Sequence, residues 1–193
     1  FDCTADFLKE MKPVREGLGD LLLQSQWAHS GIGIFYSLPS ALSGGIEESG
    51  TYLQPAQAQE TWLQLTYEIG QDARFVTSGM MAKGALSTGE YRVLCLPMVQ
   101  AMKPEEARAI RDFVQNGGTV IADVRPAIFD GHLKAVDQGP LDDVFGVARV
   151  GRGKAQQADL DLKGLLGTEK LDVKLQTKVD PDVRLGTAKA LTT

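Results

Sequence analysis

The chain holds only two cysteines and two histidines among its 193 residues. Two cysteines do not make a disulfide framework, and Cys95 falls inside an apolar run, where cysteine usually serves as a small core residue. This favours a reducing compartment, the cytoplasm ahead of an oxidising one. His29 and His132 are too few and too far apart in sequence to propose a metal cluster. No metal and no cofactor is therefore expected. No run of 18 apolar residues is present, so no segment reads as a membrane-spanning helix. Charge of one sign is never blocked together. The net charge of −5 is spread along the chain, and nothing suggests a nucleic-acid or anionic-membrane surface. The sequence opens on Phe1 without a methionine or a signal-peptide pattern and closes in what reads as a β region, so a piece of a longer protein is expected.

What is present is ordinary globular material, 43% hydrophobic and 23% charged. Its organising stretch runs from Tyr91 to Ile128. YRVLCLPMV (91–99) is a short apolar run of the kind found in a strand buried on both faces. In KPEEARAIRDFVQNGG (103–118), Pro104 suits the first helical position, and Glu105 and Glu106 suit the positive end of the helix dipole. Ala107, Ile110, Phe113 and Val114 form one apolar stripe, and Asn116-Gly117-Gly118 supplies the C-terminal stop. TVIADV then reads as a second buried strand. This is a βαβ unit, which implies a parallel sheet covered by helices.

Upstream, Phe7, Met11, Val14, Leu18, Leu21 and Leu22 recur at helical spacing over residues 4–24, with Gly17 and Gly19 weakening the end. Such a helix needs a surface to lie on. GIGIFYS (31–37) reads as the first buried strand, and the Ser-, Gly- and Pro-rich stretch 37–52 as a long loop after it. In an open α/β sheet, ligands bind beyond the carboxyl ends of the strands, so this loop is a candidate site. Residues 55–69 read as a helix with Ala58, Trp62, Leu65 and Ile69 on one face. ARFVT (73–77) reads as a strand, residues 78–90 as a connector, and residues 129–147 as a loop with one helical turn at Leu141–Phe145. From 148 to 193 the texture turns β-rich. Leu171, Val173, Leu175, Thr177 and Val179 alternate with polar residues, the period of a half-exposed strand.

The motifs that could carry chemistry read blandly. Gly31 and Gly33 begin a strand instead of following one, which argues against a dinucleotide fingerprint. GRGK (151–154) lacks the spacing and hydroxyl of a phosphate loop. Asp123, Asp130, Asp137, Asp142 and Asp143 could in principle supply a carboxylate pair for glycoside chemistry, but Asp also favours caps and turns. After the strand ending at Asp123 the chain offers Val124 and Arg125, with no Cys or Ser to serve as a nucleophile. No hydrolase triad can be assembled.

The strand IGIFYS, the Trp62 helix and the stretch YRVLCLPMVQAMKPEEARAIRDFVQNGGTVIADVRPAIFD together resemble the glutamine amidotransferase-like fold. Within it they resemble the β-galactosidase trimerisation domain, the middle domain of glycoside hydrolase family 42. The matching pieces are Ile32–Ser37, Tyr91–Pro97, Pro104–Glu106, Phe113–Val120, Arg125 and Leu141–Val147. The resemblance implies a flavodoxin-like three-layer α/β sandwich with a mostly parallel sheet over residues 1–147. The β-rich segment 148–193 follows as part of a C-terminal domain. It also implies that Val124 stands where an amidotransferase carries its cysteine, that the catalytic glutamates lie in an upstream (β/α)₈ barrel, and that the domain packs in homotrimers.

Three functions follow as expectations. The first is a non-catalytic assembly module of a larger, β-galactosidase-like glycoside hydrolase, with self-association and the upstream barrel as its partners. The second is a small-ligand (sugar) binding or sensing domain, with Ser37, Ser40, Arg125 and Asp130 lining the pocket. The third is an amidotransferase-like enzyme using Cys95.

Overall fold

The computed structural model describes residues 3–25, 30–47, 53–151, 153, 156–161 and 174–190. Four parallel strands form the central sheet: β1 (Ile32–Tyr36), β2 (Ala73–Thr77), β3 (Val93–Leu96) and β5 (Thr119–Ala122), in the order β2-β1-β3-β5. The chain steps from β1 to β2 on one side, then back past β1 to β3 and β5. Right-handed crossovers running in opposite directions place their helices on opposite faces. Hence α3 (Leu38–Glu47) and α4 (Leu53–Glu68) lie on one face, and α5 (Ser78–Ala82) and α6 (Pro104–Gln115) on the other. This is the mostly parallel α/β sandwich expected from the sequence.

The main core fills the α5/α6 face. Phe35, Val76, Leu94 and Leu96 of the sheet, all fully buried, meet Met81, Ala107, Ile110 and Phe113. Each such side chain contributes roughly 1.5–3 kcal/mol by leaving water. Alternation along the strands explains why Gly33 sits among them. A Cβ there would stand 2.9 Å from Val76 Cγ2 and 3.2 Å from Tyr91 Cδ1. The α6 helix starts as predicted, with Glu106 Oε2 accepting from the Lys103 N–H at 2.8 Å, and stops at Gly117, φ 93°.

The opposite face carries two rows across all four strands, Ala73–Ile32–Val93–Thr119 and Phe75–Ile34–Cys95–Ile121, in register. Ile34 and Cys95 in the middle are buried, whereas Phe75 and Ile121 at the two edges are each 42% exposed. TVIADV is therefore an edge strand covered on one face, not the doubly buried strand its unbroken apolar run suggested. The apolar run cannot report that, among the described residues, no helix covers Ile121 on its second face.

Four further elements depart from the sequence reading. The stretch 37–52 is not a long loop. Residues 38–47 form α3, because Leu38, Ala41 and Leu42 recur at helical spacing and the interspersed serines hydrogen-bond instead of breaking the helix. The α4 helix buries Pro55, Gln59 and Thr66, while Leu65 and Ile69 are 49% and 69% exposed, so its buried face is rotated from the expected stripe. The single N-terminal helix is broken into α1 (Cys3–Glu10), a π-turn (Val14–Leu18) and α2 (Gly19–Gln24), with Gly17 at φ 144°. The loop 129–147 contains a short strand, β6 (Phe129–Asp130), parallel to β4 (Ala101–Met102). The helical turn at Leu141–Phe145 is present, its Phe145 N–H donating to Leu141 O at 3.0 Å.

The C-terminal part is antiparallel β, as its alternation predicts. β7 (Val147–Arg149) pairs with β10 (Val183–Leu185), and β8 (Gln156–Asp161) with β9 (Lys174–Val179). His29, Leu171 and Val173 lie outside the described residues.

Candidate functional site

The carboxyl ends of the parallel strands gather most of the polar groups singled out by sequence. Ser37 follows β1, and Ser40 lies one turn into α3; both are buried. Ser40 Oγ accepts from the Ala101 N–H at 3.0 Å and lies 2.9 Å from both Ala101 O and Ser37 Oγ. Ser43 Oγ, also buried, reaches Ser40 O at 2.7 Å and Gln100 Oε1 at 3.1 Å. These hydroxyls fasten α3 to β4. A hydroxyl makes few bonds, and these are already directed inward.

Beside this fastening opens a cleft of ≈ 620 Å³. Tyr36, Leu38, Leu42 and Leu133 form its apolar walls, and Lys103 and His132 stand at its polar side. Its volume lies in the range of small-molecule sites, roughly 300–1,000 Å³. Asp130 lies next to the Gly131–Leu133 wall, and its Oδ1 accepts from the N–H groups of His132 and Lys134 at 2.8 and 2.9 Å. Those backbone bonds, from Lys134 first, hold its carboxyl below the usual range. Its position shapes the loop.

Arg125 sits elsewhere, beyond β5, at φ 61° and buried. Its Nε lies 3.6 Å from Asp180 Oδ2, which also receives Arg149 Nη1 at 2.7 Å. Arg149 Nε reaches Asp142 Oδ1 at 3.2 Å, and its Nη2 donates to Pro126 O at 3.1 Å. Two guanidiniums and two carboxylates thus neutralise one another, and Arg125, Arg149 and Asp180 of this network line a ≈ 440 Å³ cavity. The four residues proposed from sequence therefore divide into three settings. Ser37 and Ser40 form the α3–β4 fastening, Asp130 is beside the cleft, and Arg125 is in the ion network. Arg149 and Asp180 were missed by sequence reading, because isolated charges 31 residues apart carry no local pattern, and Asp142, named there only as a possible glycoside carboxylate, is held by Arg149 instead.

Asp123, the first residue past β5, lines the same cavity. Burial pushes its carboxyl up to about 6, against hydrogen bonds from the Met98 N–H (2.7 Å) and the Trp62 side chain. A perturbed carboxyl in a cavity is the usual mark of a functional site, although structural networks also produce one. No nucleophile stands with it. Cys95 is 2% exposed, and burial pushes its thiol up to about 11, away from the reactive thiolate. The turn after β5 has two left-handed residues, Arg125 (φ 61°) and Ala127 (φ 55°), and Val124 is not one of them. Among the described residues no His/Cys/Asp/Glu group is arranged to hold a metal, and no helix is long and apolar enough to cross a membrane.

The remaining feature is apolar surface. Phe7, Leu8, Leu18, Leu21 and Leu22 of the N-terminal arm are 45–63% exposed, and α1, the π-turn and α2 bury no residue. Leu65, Ile69 and Ile121 are also exposed.

Comparison with known proteins places these features in context. The family model described as "Beta-galactosidase trimerisation domain" matches residues 34–154, more than half of the chain. A search of the curated proteins finds no match. Among solved structures, a β-galactosidase from Bifidobacterium adolescentis is similar at 21% identity and TM-score 0.53, over 69% of this chain and 64% of that one. A β-galactosidase from Rahnella sp. R3 aligns with TM-score 0.61 and 16% identity, over 86% of this chain and 25% of its own. A catalytic mutant of a family 42 β-galactosidase from G. stearothermophilus aligns with TM-score 0.56 and 16% identity, over 68% and 20%. The chain thus spans 20–64% of the length of these structures, and at such identities the likeness is one of fold.

Proposed function

Because this chain belongs to the β-galactosidase trimerisation domain family, we propose that it is a non-catalytic assembly module of a larger, β-galactosidase-like glycoside hydrolase. In this reading it self-associates as a homotrimer and is joined to an upstream catalytic barrel. The unit over residues 1–147 carries the assembly function. Segment 148–193 is the attached part of a C-terminal domain, tied on through Arg149 and Asp180. The observation that carries the reading is the family match together with the large apolar side chains left in solvent on the N-terminal arm. Contiguous exposed apolar surface marks an interaction site. The lack of reactive character at Cys95 agrees with a module that does no chemistry of its own. Chemical cross-linking of the purified chain tests the proposal, with a ladder ending at three copies expected. A ladder that stays at one copy at high concentration overturns it. Turnover of an aryl galactoside by the pure chain overturns the non-catalytic part.

A second reading rests on the ≈ 620 Å³ cleft. In it the cleft takes a small ligand such as a sugar, with Lys103 and His132 as polar contacts and Tyr36 as a stacking surface. Ser37, Ser40 and Asp130 support the walls, whereas Arg125 stays in the separate ion network. A ligand that binds only the folded chain raises its melting temperature. A sugar panel that leaves the melting temperature unmoved, or a Lys103→Ala variant that responds like the parent, would remove this reading.

A further inference from the structure

The ≈ 620 Å³ cleft lies where the chain changes direction in the sheet. From β1 the chain goes out to β2 on one side and returns to β3 on the other. Connections that diverge in this way open a crevice beyond the carboxyl ends of the strands, where open α/β sheets hold their ligands. Tyr36 and Leu38 line the cleft from the end of β1, Thr77 from the end of β2, and Lys103 from the start of α6. Leu38 is 57% exposed, Leu42 51% and Tyr36 39%, so an apolar wall stands in solvent.

The polar groups of the cleft are few and of one kind. The Ser37 and Ser40 hydroxyls are turned to Ala101 O, and Thr77 Oγ1 accepts from the Met80 N–H at 3.3 Å. No acidic side chain is among the described lining residues, and Lys103 makes no ion pair among the described residues. The carboxylates nearby are taken up by backbone. Glu106 accepts from the Lys103 N–H, and Asp130 from the N–H groups of His132 and Lys134. The Lys103 stem passes over Gly131, where an added Cβ would stand 2.5 Å from Lys103 Cγ. Glycine at 131 therefore lets the lysine lie against the turn that carries His132.

We propose that the cleft takes a small carboxylate with an apolar body, such as an arylalkanoate. The carboxylate meets Lys103 and His132, and the body lies against Tyr36, Leu38 and Leu42. An ammonium holds a carboxylate through a charge-assisted hydrogen bond, stronger than a bond between neutral groups. The apolar body gains by leaving water. A neutral sugar brings several hydroxyls that each need a partner when desolvated, and these walls have few to give. The inference shares its cleft with the second reading above but differs in ligand. A sugar panel without effect removes the sugar and leaves the carboxylate standing.

The test titrates the full chain, labelled with nitrogen-15, with phenylpropionate, octanoate, neutral phenylpropanamide and galactose. Both carboxylates are expected to shift the amides of Gly131, His132 and Leu133 saturably. Phenylpropanamide should bind roughly tenfold more weakly than phenylpropionate. Lys103→Met keeps the stem over Gly131 and the main-chain bond to Glu106 while removing the charge. It should weaken both carboxylates by a similar factor and leave phenylpropanamide unchanged. Leu42→Glu sets a negative charge on the apolar wall at an exposed position and should repel the carboxylates as well. The amide spectrum of each variant reports that it is folded, and either folded variant suffices for the comparison. Equal binding of phenylpropionate and phenylpropanamide overturns the inference, as does full carboxylate affinity in a folded variant. Shifts that do not saturate, or that map away from the cleft, also overturn it. Galactose binding while neither carboxylate binds overturns it and keeps the sugar reading. No response to any of the four probes overturns both.

Discussion

Arg149 Nη1 stands 2.7 Å from Asp180 Oδ2, with 5% and 9% of the two side chains exposed. This pair joins the start of the C-terminal β segment to its end, and Arg149 ties both to the loop carrying Pro126 O. Its energetic weight lies in what removal of one partner leaves behind. Asp180→Ala would remove the carboxylate that Arg125 and Arg149 share while Arg149 keeps Asp142 and Pro126 O, so a loss of about 3 kcal/mol is expected, the lower end for a broken buried ion pair. Urea unfolding should show the drop in midpoint. A loss below 1 kcal/mol would mean that water reaches the network freely.

Arg149→Lys offers a companion test. The guanidinium serves Asp142, Asp180 and Pro126 O at once. A lysine is a single point charge without the planar fork. The substitution is expected to cost about half of what Asp180→Ala costs, through the same unfolding measurement. Full retention of stability would show that the fork geometry is immaterial.

Asp123 predicts a pH dependence. Its folded value of about 6 lies above its ordinary 3.8 because burial disfavours the charged form. The folded state thus binds this proton more tightly than the unfolded state. Ionised Asp123 costs stability above pH 6, and the cost fades as the pH falls through 6 toward 4. Asp123→Asn keeps an acceptor for the Met98 N–H and removes the charge. The variant should be more stable than the parent at pH 8 by on the order of 2 kcal/mol, with little difference at pH 4. A gap of equal size at both pH values would contradict this account.

Much of the fold was legible because it is written in local periods. The α6 helix was marked by Pro104, by its apolar stripe and by Gly117. β1, β2 and β3 were marked by short apolar runs between turn residues. The α3 helix was not legible, since serine and glycine signal loops, and only the contact of Ser40 with Ala101, 61 residues away, shows their helical use. The rotation of α4 was hidden for a related reason. Gln59 and Thr66 are buried and Leu65 is exposed, so a hydrophobicity pattern points to the wrong face. For the candidate site, Asp130 and Arg125 could be named from sequence. Their separation into a cleft wall and an ion network depends on partners distant in the chain.

Ser40→Ala tests the fastening of α3. The change removes the acceptor for the buried Ala101 N–H and the donor between Ser37 and Ala101 O. Leaving a buried amide unsatisfied costs about 1–3 kcal/mol. Hydrogen exchange at Ala101 should accelerate along with the stability loss. Unchanged exchange there would show that the hydroxyl is not the amide's partner.

The central claim is self-association, and the mass of the purified chain in solution tests it most directly. Light scattering over a concentration series should approach three times the 20.8 kDa of one chain. A constant mass of one chain up to the highest concentration would contradict the account.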